Sequence, residues 1–296
     1  MNLKNLSLSL VLGNVFIMGL NPKKLFHKID NFKNLKWNRV SNIVMNKANL
    51  VYKNDNIDLF FEENKQYNKT LINLTPGGLK GFYNLGTCVY IKSNYDLRNC
   101  IFNGVSAGSW NGLVMCYKKN PQDFAIDIIN SMKGFNNNGS IYNTQLYLKD
   151  KILSNYKSKD FCLDKLLVSV TCVNDKEIFT NIYTDFEDIE DAIDCCIASS
   201  NIPFVTGICE TKYRDLLSLD GGFSMNPYIN KKCDFEISPD MWYSNLYDKK
   251  AKKQNLYDMF FYNNYDINFH ELYINGYYDA KNNNKLINLT PISNNH

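Results

Sequence analysis

From about residue 70 to residue 219, short β-rich runs alternate with stretches of helical periodicity, and the connections are short. The runs at 71–74 (LINL), 101–105 (IFNGV), 166–173 (LLVSVTCV), 177–184 (EIFTNIYT) and 216–219 (LLSL) read as strands. The stretches near 82–95, 107–119, 122–133 and 187–199 read as helices, and Gly134–Ser140 reads as a loop. A strand that returns through a helix to a neighbouring strand builds a parallel sheet, and helices then cover its faces. The alternation therefore predicts an α/β fold with three layers, α/β/α, around a mostly parallel central sheet. After residue 240 the chain is aromatic and Asn-rich, and no period dominates.

At 296 residues the chain is long enough to bury a full core. Its net charge of +3 is too small for the dense basic face of a dedicated nucleic-acid binder. Asn is abundant and comes in runs such as Asn136-Asn137-Asn138, while Arg stands only at 39, 98 and 214. Residues with AT-rich codons dominate this bias, so genome composition explains it better than chemistry. The nine cysteines form no C-x-x-C pair, and with three histidines they offer no zinc-type ligand cluster. Their odd number and apolar surroundings fit free thiols in a reducing compartment. That points to a cytoplasmic protein, with secretion the weaker reading.

Residues 1–64 form an N-terminal extension, and 65–296 are expected to form the main domain. Within the extension, residues 6–20 (LSLSLVLGNVFIMGL) are mostly apolar but short for a membrane span. A signal-like segment, a membrane-dipping anchor and a buried element all fit this run, and the cysteine usage favours the last. A second stretch, Met259-Phe260-Phe261-Tyr262 with Lys249, Lys250, Lys252 and Lys253 before it, could touch a membrane surface peripherally. A core segment beside solvated lysines fits it better.

Three glycine-containing motifs carry the chemistry. Gly104-Val105-Ser106-Ala107-Gly108 fits G-x-S-x-G and sits where a strand is expected to turn into a helix. A Ser at so sharp a turn needs flanking residues without bulk, and the helix start sets free N–H groups beside its oxygen. Pro76-Gly77-Gly78-Leu79-Lys80-Gly81 also lies between a strand and a helix. Its glycines allow backbone amides to converge on a developing oxyanion, or equally on a phosphate. Asp220-Gly221-Gly222 follows the run LLSL, which places the Asp at a strand's carboxyl end, where open α/β sheets hold their ligands. Each motif alone is as readily a plain turn; the conjunction carries the argument.

In this order the three motifs resemble the patatin-like phospholipase family. Gly81-Phe82-Tyr83-Asn84-Leu85-Gly86 is similar to the helix start after the oxyanion loop of the animal members. Ala198-Ser199-Ser200-Asn201-Ile202-Pro203-Phe204 resembles the family's A-S-x-x-x-P segment, and 220–227 (DGGFSMNP) its D-G-G/A-x-x-x-N-x-P. The likeness covers about residues 70–230; Pro76 departs from it where many members have Gly. It implies a Ser–Asp dyad with Ser106 as nucleophile and Asp220 as general base. It implies an oxyanion hole from the N–H groups of Gly77, Gly78 and Ala107, with Gly81, Gly104, Gly108, Gly221 and Gly222 as supporting positions. The substrate implied is a lipid ester, phospholipid or acylglycerol, cleaved through an acyl-enzyme without metal or cofactor.

Two other readings compete. Ser106, Asp220 and His270 stand in the chain order of an α/β-hydrolase triad, although His270 carries no local signature. A catalytically silent lipid-binding or virion-structural protein of the same fold is the other. Trp110, Leu113, Val114 and Met115 after the elbow are expected as core rather than acyl-chain lining, and Lys80 as solvated.

Overall fold

The computed structural model describes residues 62–63, 68–132, 141–174, 178–203, 206–207, 211–223, 233–242 and 268–292. The segments 6–20, 134–140 and 249–262, together with Phe204, Asn226 and Pro227, lie outside the described residues.

The chain is an α/β protein. Strand β1 (Thr70–Leu74) leads through a tight turn (Gly78–Lys80) into α1 (Gly81–Asn94). Then follow β2 (Cys100–Val105), α2 (Ala107–Cys116), α3 (Pro121–Ser131) and α4 (Ile141–Asn155). The remainder is β3 (Leu166–Val173), β4 (Ile178–Tyr183), α5 (Ile189–Ser199), β5 (Lys212–Tyr213), β6 (Leu216–Leu219), β7 (Phe235–Ile237) and α6 (Phe269–Asn282). Pro121 at the first turn and the Asn120 side chain, which accepts from Gln122 N, start α3; the Asp188 side chain accepts from Asp191 N to start α5.

The sheet is mixed. Strands β7, β1, β2 and β3 run parallel, as the expected architecture has it. Strands β4 and β6 pair antiparallel with β3, and β5 with β6. Every residue of β2 and β3 is buried, as central strands of a covered sheet require. Because side chains alternate, Ile72, Leu74, Phe102, Leu166, Val168 and Val170 share one face and join the main core with the helices. Leu71, Ile101, Leu167 and Ile182 form a smaller cluster on the other face. The arrangement is compatible with three layers.

One register detail positions the site. Ser169 pairs with Val105 of β2 and with Ile182 of β4, so β2 and β4 lie on opposite edges of β3. Thr171 pairs with Thr180 of β4 and with Leu219 of β6. Strands β2 and β6 therefore occupy the same edge of β3 and approach each other end to end. Their last residues, Val105 and Leu219, lie opposite Ser169 and Thr171, with Val170 between. The residues that follow, Ser106 and Asp220, are delivered to one point from opposite directions.

Four elements were not foreseen: α4, β5, β7 and α6. Helix α6 crosses α1 at backbone contact. A Cβ on Gly276 would stand 1.9 Å from Tyr83 O, and one on Gly86 equally near Tyr273 O, so both glycines are required for this approach. Tyr83 Oη donates to Asp279 Oδ2 at 2.6 Å across the same crossing.

Candidate active site

Ser106 occupies the turn between β2 and α2 with φ 54° and ψ −126°. A positive φ is costly for a residue with a Cβ and is held only where neighbours over-determine it. The neighbours do so. A Cβ on Gly104 would fall 2.4 Å from Ser109 Cα, and one on Gly108 would fall 2.0 Å from Leu74 O, so α2 presses directly on the ends of both strands. Ser109 donates to Ser106 O twice, from its N at 2.9 Å and its Oγ at 2.6 Å.

The segment that resembles A-S-x-x-x-P fixes both halves of the site. Ser106 N donates to Ser199 Oγ at 2.8 Å, and Ser199 Oγ donates to Ser169 O at 2.7 Å. Two residues on, Asn201 O accepts from Asp220 N at 2.7 Å, and Asn201 Nδ2 donates to Ser218 O at 2.8 Å. Ser199 thus ties the Ser106 backbone to β3 while Asn201 ties the Asp220 backbone to the same segment. Sequence reasoning gave these two side chains no role; their position in the motif was the available signal.

The two side chains meet. Ser106 Oγ donates to Asp220 Oδ2 at 2.6 Å, and Gly222 N donates to Asp220 Oδ1 at 2.7 Å. Ser106 is 6% and Asp220 5% exposed. Burial raises the Asp220 carboxyl to about 6, and the hydrogen bonds from Ser106 and Gly222 oppose part of that rise. Gly221 lets the turn pass: a Cβ there would lie 2.3 Å from Ser169 O.

The glycine loop lies against the same turn. Gly78 has φ 51°, and a Cβ on Gly81 would fall 2.6 Å from the Cβ of Ala107. The Pro76 ring packs 3.3 Å from where a Gly222 Cβ would stand, so the residue that departs from the family pattern buttresses the Asp220 turn. Among the described residues, the N–H groups of Gly77, Gly78 and Ala107 donate to no backbone acceptor. Gly78 and Ala107 line the cavity that contains Ser106 and Asp220; Gly77 does not line it.

That cavity has a volume of about 110 Å³ and runs between the helices. Its apolar wall includes Leu79, Phe82 and Leu85 from the turn and α1, Ile128 from α3, and Leu148 from α4. Trp110 also lines it and donates from Nε1 to Ser200 Oγ at 3.2 Å, which corrects the expectation that it is plain core. Leu113, Val114 and Met115 are core, as expected. His270 is exposed on α6, where its ring meets Tyr273, and it does not line the cavity. Among the described residues Asp220 accepts from Ser106 Oγ and Gly222 N and no bond joins it to His270, so the structure does not assemble the His270 triad.

Among the described residues no group of His, Cys, Asp and Glu is arranged to hold a metal ion. Nor is any helix among them long and apolar enough to cross a membrane. The described cysteines are free, and most are buried.

No protein-family model matches the chain. Over 76 residues the chain is 33% identical to human 1-acylglycerol-3-phosphate O-acyltransferase PNPLA3. The matched stretch covers 25% of this chain and 15% of that protein.

Proposed function

We propose that the chain is a patatin-like serine acyl hydrolase acting on lipid esters, with residues 65–296 as its catalytic domain. The observation that carries this reading is the 2.6 Å hydrogen bond from Ser106 Oγ to a buried carboxylate, beside amides with no backbone acceptor among the described residues and a cavity with an apolar wall. The stretch shared with the human acyltransferase supports it.

In the proposed cycle Asp220 Oδ2 takes the hydroxyl proton as Ser106 Oγ attacks the ester carbonyl. A carboxyl near 6 is a far better base at neutral pH than an ordinary Asp, and it still ionises there. The oxyanion is held by the N–H groups of Gly77, Gly78 and Ala107, each such donor contributing roughly 3–4 kcal/mol. Asp220 returns the proton to the departing alcohol, which leaves an acyl-enzyme on Ser106. Water, deprotonated by the same carboxylate, then releases the fatty acid and restores the hydroxyl. The apolar walls at Leu79, Phe82, Leu85 and Trp110 suit an acyl chain. Free cysteines fit action from the cytoplasmic side, at a lipid surface.

The relative's printed activity favours a second outcome of the same intermediate, in which an acylglycerol phosphate hydroxyl replaces water. Incubation with mixed phospholipids and triacylglycerols in the presence of an acylglycerol phosphate, followed by mass-spectrometric product analysis, separates the two. Free fatty acid is expected for a hydrolase and newly acylated glycerophospholipid for an acyltransferase; neither product from folded protein overturns the proposal. In this assay His270→Ala is expected to keep activity within about twofold, whereas a lost general base would cost about 10²–10⁴-fold.

A further inference from the structure

At the opposite end of the sheet from Ser106, a second cavity of about 560 Å³ opens between the carboxyl ends of α1 and α2 and the amino ends of β2 and β3. Its size is that of a small-molecule site, roughly 300–1,000 Å³. Phe102 of β2 lines it four residues before Ser106, so about 13 Å of strand separates the two sites at ~3.3 Å per residue. The segment 290–292 closes one side: Thr290 O accepts from Asp96 N at 2.8 Å and Ile292 N donates to Asn94 O at 2.9 Å.

The charge of this cavity is one-sided. Its lining carries Lys92, Arg98, Lys118 and Lys165 against one carboxylate, Asp96, which Arg98 Nε already holds at 2.9 Å. The excess equals the net charge of the whole chain, +3. Among the described residues these lysines donate to neutral carbonyls. Lys92 Nζ donates to Met115 O at 2.7 Å, Lys118 Nζ to Lys159 O at 2.9 Å, and Lys165 Nζ to Arg98 O at 2.7 Å. The neighbouring Asp160 is taken by Lys119 at 2.9 Å. Burial draws the Lys92 ammonium below its ordinary range, as expected of a cation without a counter-charge.

The carboxyl ends of two helices explain why lysines gather here, and at roughly half a negative charge each they offset only about one unit of the excess. We propose that this cavity is a binding site for a small phosphate-bearing anion, separate from the Ser106 site. A phosphate dianion or pyrophosphate brings several negative oxygens on one compact group, and lysines bind phosphate as point charges. A monocarboxylate would leave part of the excess uncompensated. The proposal does not rest on the esterase reading.

Calorimetric titration of the full chain with sodium pyrophosphate, against sodium chloride at matched ionic strength, tests it. Saturable binding is expected, weakened at least about tenfold in Lys165→Ala and in Arg98→Ala, as loss of a charge-assisted bond implies. The Arg98 side chain is 88% exposed, so that variant folds even if Lys165→Ala does not. A parallel arm uses phosphatidylcholine vesicles with and without phosphatidic acid. Pyrophosphate binding assigns a soluble ligand; binding to the phosphatidic acid vesicles alone, lost in Arg98→Ala, assigns a lipid headgroup. The proposal is overturned if neither arm shows saturable binding or if both variants bind as the parent does.

Discussion

Asp220→Asn is expected to make the protein more stable at pH 7 while removing its ester hydrolysis. The two effects have one origin. The carboxyl titrates near 6 in the folded chain because burial opposes its ionised form; its ordinary value is 3.8. Holding it as a carboxylate at pH 7 therefore costs about 3 kcal/mol of stability. The folded state binds this proton more tightly than the unfolded state does. The group's favourable contribution is thus complete below about pH 4 and is lost as pH rises through about 6. Asn has no such dependence. Its Oδ1 can keep the bond from Gly222 N, and its amide can donate to Ser106 Oγ as the protonated acid would, the Ser106 hydroxyl proton then turning toward the cavity.

Denaturant unfolding at pH 4 and at pH 7 checks the claim. The stability gain of Asp220→Asn should be near zero at the lower pH and approach ~3 kcal/mol at the higher. The parent's kcat/KM should rise with pH and level off above about 6, since the ionised form is the base. The variant should lose about 10³-fold or more in kcat/KM and lack that limb. A stability difference independent of pH, or retained turnover, would remove Asp220 from its role as base.

The reach of the sequence can be judged at this same pair. Ser106 was legible because a strand run, two glycines and an apolar helix surround it, and each is a local property. Asp220 was legible by its strand and its glycines. What the sequence could not display is that β6 joins β3 antiparallel, on the edge β2 already occupies. That pairing depends on tertiary choice rather than on local pattern, yet it is what brings the two residues together.

Helix α6 escaped for a different reason. Its buried face, Phe269, Tyr273, Gly276 and Ala280, has helical spacing, but Tyr and Asn on the other face blur the contrast in polarity. Helix α4 buries Thr144 and Gln145 beside Leu148 and Ile152, so its inward face is partly polar because it borders the cavity. Strand β7 has three residues, too few for any period to register. Ser199 and Asn201 show the remaining gap: a motif can be recognised before the hydrogen bonds that give it meaning are visible.

Ser106→Ala is expected to abolish covalent labelling by a fluorophosphonate probe and to lower lipid-ester hydrolysis at least ~10⁴-fold, because Ser106 Oγ is the hydroxyl that bonds to the Asp220 carboxylate. The fold should survive, since Ser106 N still reaches Ser199 Oγ and the backbone keeps its path. That path is itself a second readout. Alanine retains a Cβ at φ 54° and so retains the strain, whereas Ser106→Gly relieves it. The glycine variant should be the more stable of the two by roughly 1 kcal/mol or more. Removing the hydroxyl also removes the bond that holds the Asp220 carboxyl down, so in both variants that group should titrate above about 6. A fold kept only for lipid binding predicts a different pattern, in which well-folded parent protein fails to label and Ser106→Ala changes nothing. Labelling that persists in Ser106→Ala would instead place the nucleophile on another residue and leave the turn without its proposed purpose.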